Sequence, residues 1–247
     1  MKRRMTLILL ALVVAAASLA GCQREADQAG NDDGTVQTED TEDTTGQDAG
    51  KENADKAATG ETPAESADPS GILVAYFSWA DNAILEDDVD AVTSPSVIPP
   101  GNVQQLAGWV QDETGGDLFA IRVTDPYPND WDECLDRAHQ EREEDARPEL
   151  VENVDNLDQY DVIFLGYPNW WYGVPMPLLT FFENNDFSGK QVYLFCSHGT
   201  GGLANSVEII TEAADGADIS DNIFDCYEED ASGSQGEIEN WIRSIQY

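Results

Sequence analysis

The chain has 247 residues and carries 49 acidic side chains against 12 basic ones, a formal net charge of −37 at neutral pH. So acidic a surface is a poor match for nucleic acid or anionic lipid headgroups; cationic partners, a salt-rich setting and plain solubility all remain open. Four cysteines spread over this length argue against a disulfide-built scaffold.

The chain opens on Lys2, Arg3 and Arg4, followed by an apolar run over residues 7–17 that is too short to span a bilayer comfortably. That run leads to Leu19-Ala20-Gly21-Cys22, which resembles the lipobox of bacterial lipoproteins. The resemblance implies that residues 1–21 form a signal peptide, that cleavage falls before Cys22 and that its sulfur is lipidated. An uncleaved anchor helix is the alternative. On either reading the protein is expected at the cell membrane, on its extracytoplasmic face, with the anchor as its only membrane contact. Residues 22–70 are dominated by Asp, Glu, Thr, Gly and Ala, with almost no large apolar side chain. Such a stretch cannot bury enough surface to offset its ordering entropy, and it is expected to be a disordered acidic tether. Its r.m.s. reach is on the order of 40 Å.

The remaining 177 residues, 71–247, suit one domain with one core. They keep 35 of the acids and 6 of the bases, a net charge of −29. Strand and helix signals alternate along them. Residues 72–77 are a continuous apolar run, and helical spacing follows over 102–114 before Gly115 and Gly116. Residues 118–123 alternate as a strand; 130–146 form a charged amphipathic helix with Trp131, Leu135 and Ala138 on one face. A buried strand at 162–165, a helix at 177–183, a strand at 191–196 and a helix at 203–214 come next. A weaker strand at 223–227 and a helix at 235–245, with Ile238, Trp241, Ile242 and Ile245 inward, close the chain. Five strands alternating with helices predict an α/β three-layer sandwich on a five-stranded parallel sheet. The expected order is 2-1-3-4-5, with the ligand site at the switch point beside strands one and three.

Three loops leave the carboxyl ends of strands one, three and four: Ser78 onward, residues 167–175 and residues 197–202. The second carries three consecutive aromatics, Trp170, Trp171 and Tyr172, which point either to a flat conjugated ligand or to a cap on the core. After strand one, Tyr76-Phe77-Ser78-Trp79 and then Pro100-Gly101-Asn102-Val103 resemble the phosphate turn of the flavodoxin family, in particular its short members. Residues 80–100 interrupt the motif and Val103 replaces the usual Thr. The aromatic loop Pro168-Asn169-Trp170-Trp171-Tyr172-Gly173 and the glycine loop Ser197-His198-Gly199-Thr200-Gly201-Gly202 resemble the family's second and third flavin loops. The resemblance implies FMN as cofactor: phosphate at Ser78, Trp79 and the Gly101-Asn102-Val103 helix start, ring against Trp171 or Tyr172, pyrimidine edge at the third loop. A helix start with hydroxyl and amide donors has the chemistry for a phosphomonoester, and none of the domain's six bases falls in these loops. Glycine at 173 gives the aromatic loop freedom to reorient.

Other readings are weaker. Ser197 and His198 as a hydrolase pair lack a nucleophile elbow, and adjacent residues cannot easily serve as nucleophile and base. Cys196 with His198 lacks further metal ligands. Cys134, Cys196 and Cys226 show no metal-like spacing, and Cys196 reads as a small buried residue. The function implied is a membrane-tethered FMN electron-transfer protein that exchanges electrons with a redox protein or small acceptor, in which an acidic aromatic pocket would disfavour the anionic reduced flavin. An FMN-dependent NAD(P)H:quinone-type reductase and a flavodoxin-shaped binding module without flavin are the alternatives. The insert at 80–100, with Glu86, Asp87, Asp88 and Asp90, reads as a lid, a docking loop or a solvated excursion.

Overall fold

The computed structural model describes residues 71–85 and 94–247. The expected signal peptide, Cys22, the expected tether and the acidic stretch of the insert (86–93) lie outside the described residues.

Five parallel strands follow β1 (Ile72–Tyr76), β2 (Asp117–Ala120), β3 (Val162–Pro168), β4 (Gln191–His198) and β5 (Asp218–Ile219), in the order β2-β1-β3-β4-β5. A sixth segment, β6 (Phe224–Tyr227), pairs with the far half of β4. The strand expected at 223–227 is therefore β6, and β5 is a further short segment that precedes it. β5 lies beside Gln191 and Val192, and β6 beside residues 195–198, with residues 220–223 between them.

Alternation along β1 shows why the sheet is covered on both faces. Leu73, Ala75 and Phe77 join one apolar cluster with Ile163, Leu165, Leu178, Phe181, Leu194 and Ile210. Val74 and Tyr76 join a second with Val103, Leu106, Phe164, Phe195, Ile238 and Trp241. Successive side chains of a strand point to opposite faces, so a strand buried on both sides reads as an unbroken apolar run. The first cluster is closed by α3 (Met176–Asn184) and α4 (Ser206–Ala213) together with α2 (Trp131–Glu143); the second by α1 (Asn102–Thr114) and α5 (Gln235–Ser244).

Local chemistry sets the helix ends. Asp130 caps α2 by accepting from the Glu133 amide at 3.0 Å, and Asp132 and Glu133 follow in the first turn. α1 starts after Gly101 and stops at Gly115, both at positive φ. In β3, Gly166 is required by packing: a Cβ there would fall 2.2 Å from the Phe195 ring. The three described cysteines, Cys134, Cys196 and Cys226, are free and buried.

Candidate functional site

The three loops meet. A cavity of about 250 Å³ opens at the carboxyl ends of the strands, lined by Trp79 after β1, by residues 168–172 after β3 and by residues 197–201 after β4. That is where open α/β sheets place ligands.

The aromatic loop is braced from both sides. The Asn169 side-chain amide donates to the carbonyls of Gly202 (2.6 Å) and Leu203 (2.9 Å), and its backbone N–H donates to Ser197 O. These bonds tie the second loop to the third. Trp170 packs edge-on against Phe77, Trp79 and Tyr127 at centroid distances of 5.5, 6.4 and 5.2 Å. It combines the two readings of the sequence, capping the core below and lining the cavity above. The Trp171 indole donates to the Leu135 carbonyl of α2 at 3.0 Å and lies 4.6 Å from the His139 ring. Tyr172 is 60% exposed, the one ring of the three left free at the rim. Trp171 and Tyr172 both have left-handed backbones, with φ of 52° and 61°. Such conformations in non-glycine residues are held only where surrounding contacts impose them, and they cluster at ligand sites. The turn's left-handed residues are thus Trp171 and Tyr172, whereas Gly173 is buried and its φ is ordinary.

Of the residues the sequence singles out, Ser78, Gly101, Asn102 and Val103 stand outside the lining of this cavity, as do Gly173 and Gly202. Val103 points into the second apolar cluster, as an aliphatic residue on the inner face of α1 should. The Asn102 amide is engaged within the chain, donating to Ser96 Oγ (3.2 Å), Ser197 Oγ (3.3 Å) and the Glu228 carbonyl (2.8 Å). It stitches the start of α1 to β4 and to the end of β6. His198 makes no hydrogen bond to Ser197: its ring nitrogens meet Gly199 O and Asp225 Oδ2.

Other residues stand in the cavity unannounced. α2 contributes Trp131, Cys134, Leu135 and Ala138; the insert contributes Ser94 and Ser96; Glu228 follows β6. The apolar face of α2 was visible as a helical stripe, but a stripe covering a cavity has the same spacing as one covering a core. Glu228 was findable by applying the strand-end rule to the fifth strand as well. Burial pushes the Cys134 thiol up to about 12, so it stands in the wall as a neutral apolar group rather than a nucleophile. Among the described residues, His198 apart, no basic side chain lines the cavity. Arg122, Arg137, Arg147 and Arg243 are paired elsewhere with Glu152, Glu141, Glu183 and Glu113.

The insert is anchored at both described ends. Asn82 is buried and its side chain donates to Ser78 O (2.9 Å) and Ile121 O (3.0 Å) and accepts from the Val123 amide (2.8 Å). Val97 is fully buried. Ser94 Oγ accepts from the Ser96 amide and donates to Glu228 Oε2 at 3.2 Å.

The residues present fit a flat ring with a phosphorylated tail. The rim supplies Trp171 and Tyr172, with the Tyr172 ring beside Gly201. Beside α1, Ser78 is 1% exposed and its hydroxyl has no hydrogen-bond partner among the described residues, an uncommon state for a buried donor. It borders a notch that only glycine leaves open: a Cβ on Gly101 would lie 2.8 Å from Ser78 Oγ and 2.9 Å from Ser96 O. An orphaned hydroxyl, the Ser94 and Ser96 hydroxyls and a helix start together make an uncharged anion cradle.

A parallel sheet in the order 2-1-3-4-5, with its site at the switch point beside the first and third strands, defines the flavodoxin-like class. Within that class the chain belongs to the flavodoxin family, whose sequence profile matches residues 91–245. A structure assigned as a flavoprotein, from Bacteroides eggerthii, is 26% identical with a TM-score of 0.54, covering 70% of this chain and 96% of its own. A second from Bacteroides uniformis, also assigned as a flavoprotein, is 24% identical with a TM-score of 0.55, covering 70% and 97%, and shares the fold. No curated protein matches the chain.

Proposed function

We propose that this protein binds FMN in the strand-end cavity and carries electrons at the outer face of the cell membrane, held there by lipid on Cys22. The observation that carries the reading is the convergence of three loops on one aromatic cavity, in a chain of the flavodoxin family. Bound FMN supplies the one- and two-electron chemistry; the protein binds, orients and tunes it.

The chain's own residues divide that work. Tyr172, free at the rim, covers the exposed face of the ring, while Trp171 is fixed by Leu135 and His139 and holds the turn in shape. The backbone of residues 199–201 approaches the ring's other edge, and the Tyr172 ring lies 3.1 Å from where a Cβ on Gly201 would stand. Ser78, Ser94, Ser96 and the first N–H groups of α1 hold the phosphate without a fixed cation. α2 walls off water on the side of Cys134, Leu135 and Ala138.

Titrating the purified protein with FMN tests this directly. Binding should quench flavin fluorescence at a stoichiometry of about one and leave a yellow protein after gel filtration. Protein that stays colourless in excess FMN would sink the flavin reading in favour of a binding module. Rapid flavin reduction on mixing the loaded protein with NADH would instead favour the reductase.

A further inference from the structure

Among the described residues, His198 is the one side chain lining the cavity that can carry positive charge. It stands at the carboxyl end of β4 with its side chain 12% exposed. Nδ1 lies 2.9 Å from the carbonyl oxygen of Gly199, and Nε2 lies 2.8 Å from Oδ2 of Asp225. A carbonyl and a carboxylate only accept, so each ring nitrogen needs its own hydrogen. Neutral imidazole has one N–H and satisfies one of the two; the imidazolium satisfies both.

The pair is also placed asymmetrically. The Asp225 side chain is 44% exposed and is solvated from outside, whereas the ring is turned inward. Two other elements bear on it. The Glu228 amide donates to the His198 carbonyl at 2.8 Å, and the Glu228 carboxylate lines the same cavity. The Tyr227 ring stands 6.4 Å away, edge-on. The neighbouring thiols are uncharged: burial raises Cys196 well above the ordinary thiol value and Cys226 to about 11. Asp225 and Glu228 are thus the charges that face His198.

We propose that His198, held as an imidazolium between Gly199 and Asp225, is the positive group that favours negative charge on a ligand in this cavity, and so raises the reduction potential of the flavin against Glu228 and the acidic surface. The potential half of this proposal rests on the FMN reading above. Two electrons and one proton added to the neutral ring leave one net negative charge. In the test the electrons come from dithionite and the proton from buffer. A charge in a water-poor cavity acts on a neighbouring charge far more strongly than one in bulk water.

Two measurements decide it. Nitrogen-resolved NMR of the His198 ring in the flavin-free full-length protein near neutral pH should show hydrogen on both nitrogens. Asp225→Ala, on the exposed side, should return the ring to a single N–H. A neutral ring in the parent protein overturns the proposal whether or not flavin binds. With FMN bound, His198→Gln keeps a donor toward Asp225 without the charge. It should weaken binding of reduced relative to oxidised flavin about tenfold, a drop of about 30 mV in the two-electron midpoint. An unchanged midpoint overturns the tuning role. Failure of the parent protein to take up FMN overturns the flavin reading and the potential half with it, while the ring signals separately decide the charge.

Discussion

Tyr172 shows most plainly how a single residue trades stability for a site. Its φ of 61° belongs to the region where a Cβ crowds the backbone, at a cost of roughly 1–2 kcal/mol. Tyr172→Gly should relieve that strain and raise the urea midpoint, with stability up by about 1 kcal/mol net of the flexibility glycine adds to the unfolded chain. FMN binding should weaken in the same variant, because the free ring is gone. A variant that is less stable and binds FMN unchanged would show that Tyr172 serves packing alone. Asp81 makes a second residue-level case. Its Oδ2 is buried without a hydrogen-bond partner among the described residues, and burial raises its carboxyl above the ordinary carboxylate value against the opposing pull of Tyr76 and Arg122. Between the ordinary and the raised value the folded chain holds a proton that the unfolded chain has released, so stability falls as pH rises through that window. Asp81→Asn should match the parent at the acid end and exceed it above the window. Denaturation midpoints across pH check this, and parallel curves for the two proteins would refute it.

The elements were readable from the sequence to different degrees. Residues 162–165 and 191–196 read as buried strands from their apolar side chains, and the structure carries them on to Pro168 and His198, which is enough to place the loops that follow. That is why Trp79, residues 168–172 and residues 197–201 were legible as cavity-lining groups. The insert was not. The sequence at Asp81 and Asn82 has no helical repeat, and the structure has only a 3-10 turn there, Ala80–Asn82. Yet Asn82 links the ends of β1 and β2 through three side-chain hydrogen bonds, made to groups 4, 39 and 41 residues away. No local pattern announces partners that distant. Asn82→Ala leaves a buried amide and two carbonyls unpaired and should cost about 3 kcal/mol, measured as a lowered urea midpoint. A loss below about 0.5 kcal/mol would mean that the insert is an appendage rather than part of the frame. The Asn102 hydrogen bond is illegible for the same reason: its amide donates to the Glu228 carbonyl, which follows β6 and lies 126 residues away.

At the scale of the molecule, the two apolar clusters on either side of one sheet explain how a domain of net charge −29 stays folded, since its acids are spread over surface that the core does not need. They also show that fold and site have different carriers: the sheet order follows from strand and helix alternation, while the cavity wall depends on α2 and β6. The break at 220–223 bears on that wall. β6 has β4 as its hydrogen-bonded neighbour among the described strands, and it is not continuous with β5. The wall bearing Asp225 and Glu228 thus hangs on a short marginal segment, while Trp171 and Tyr172 follow β3, which is paired on both sides. Opening the cavity from the Glu228 side would leave the central strands zipped, so admitting a ligand and melting the domain become separate events with separate barriers. Amide hydrogens of residues 225–227 should exchange with deuterium well ahead of those in 163–167; equal protection would mean that the seam does not breathe.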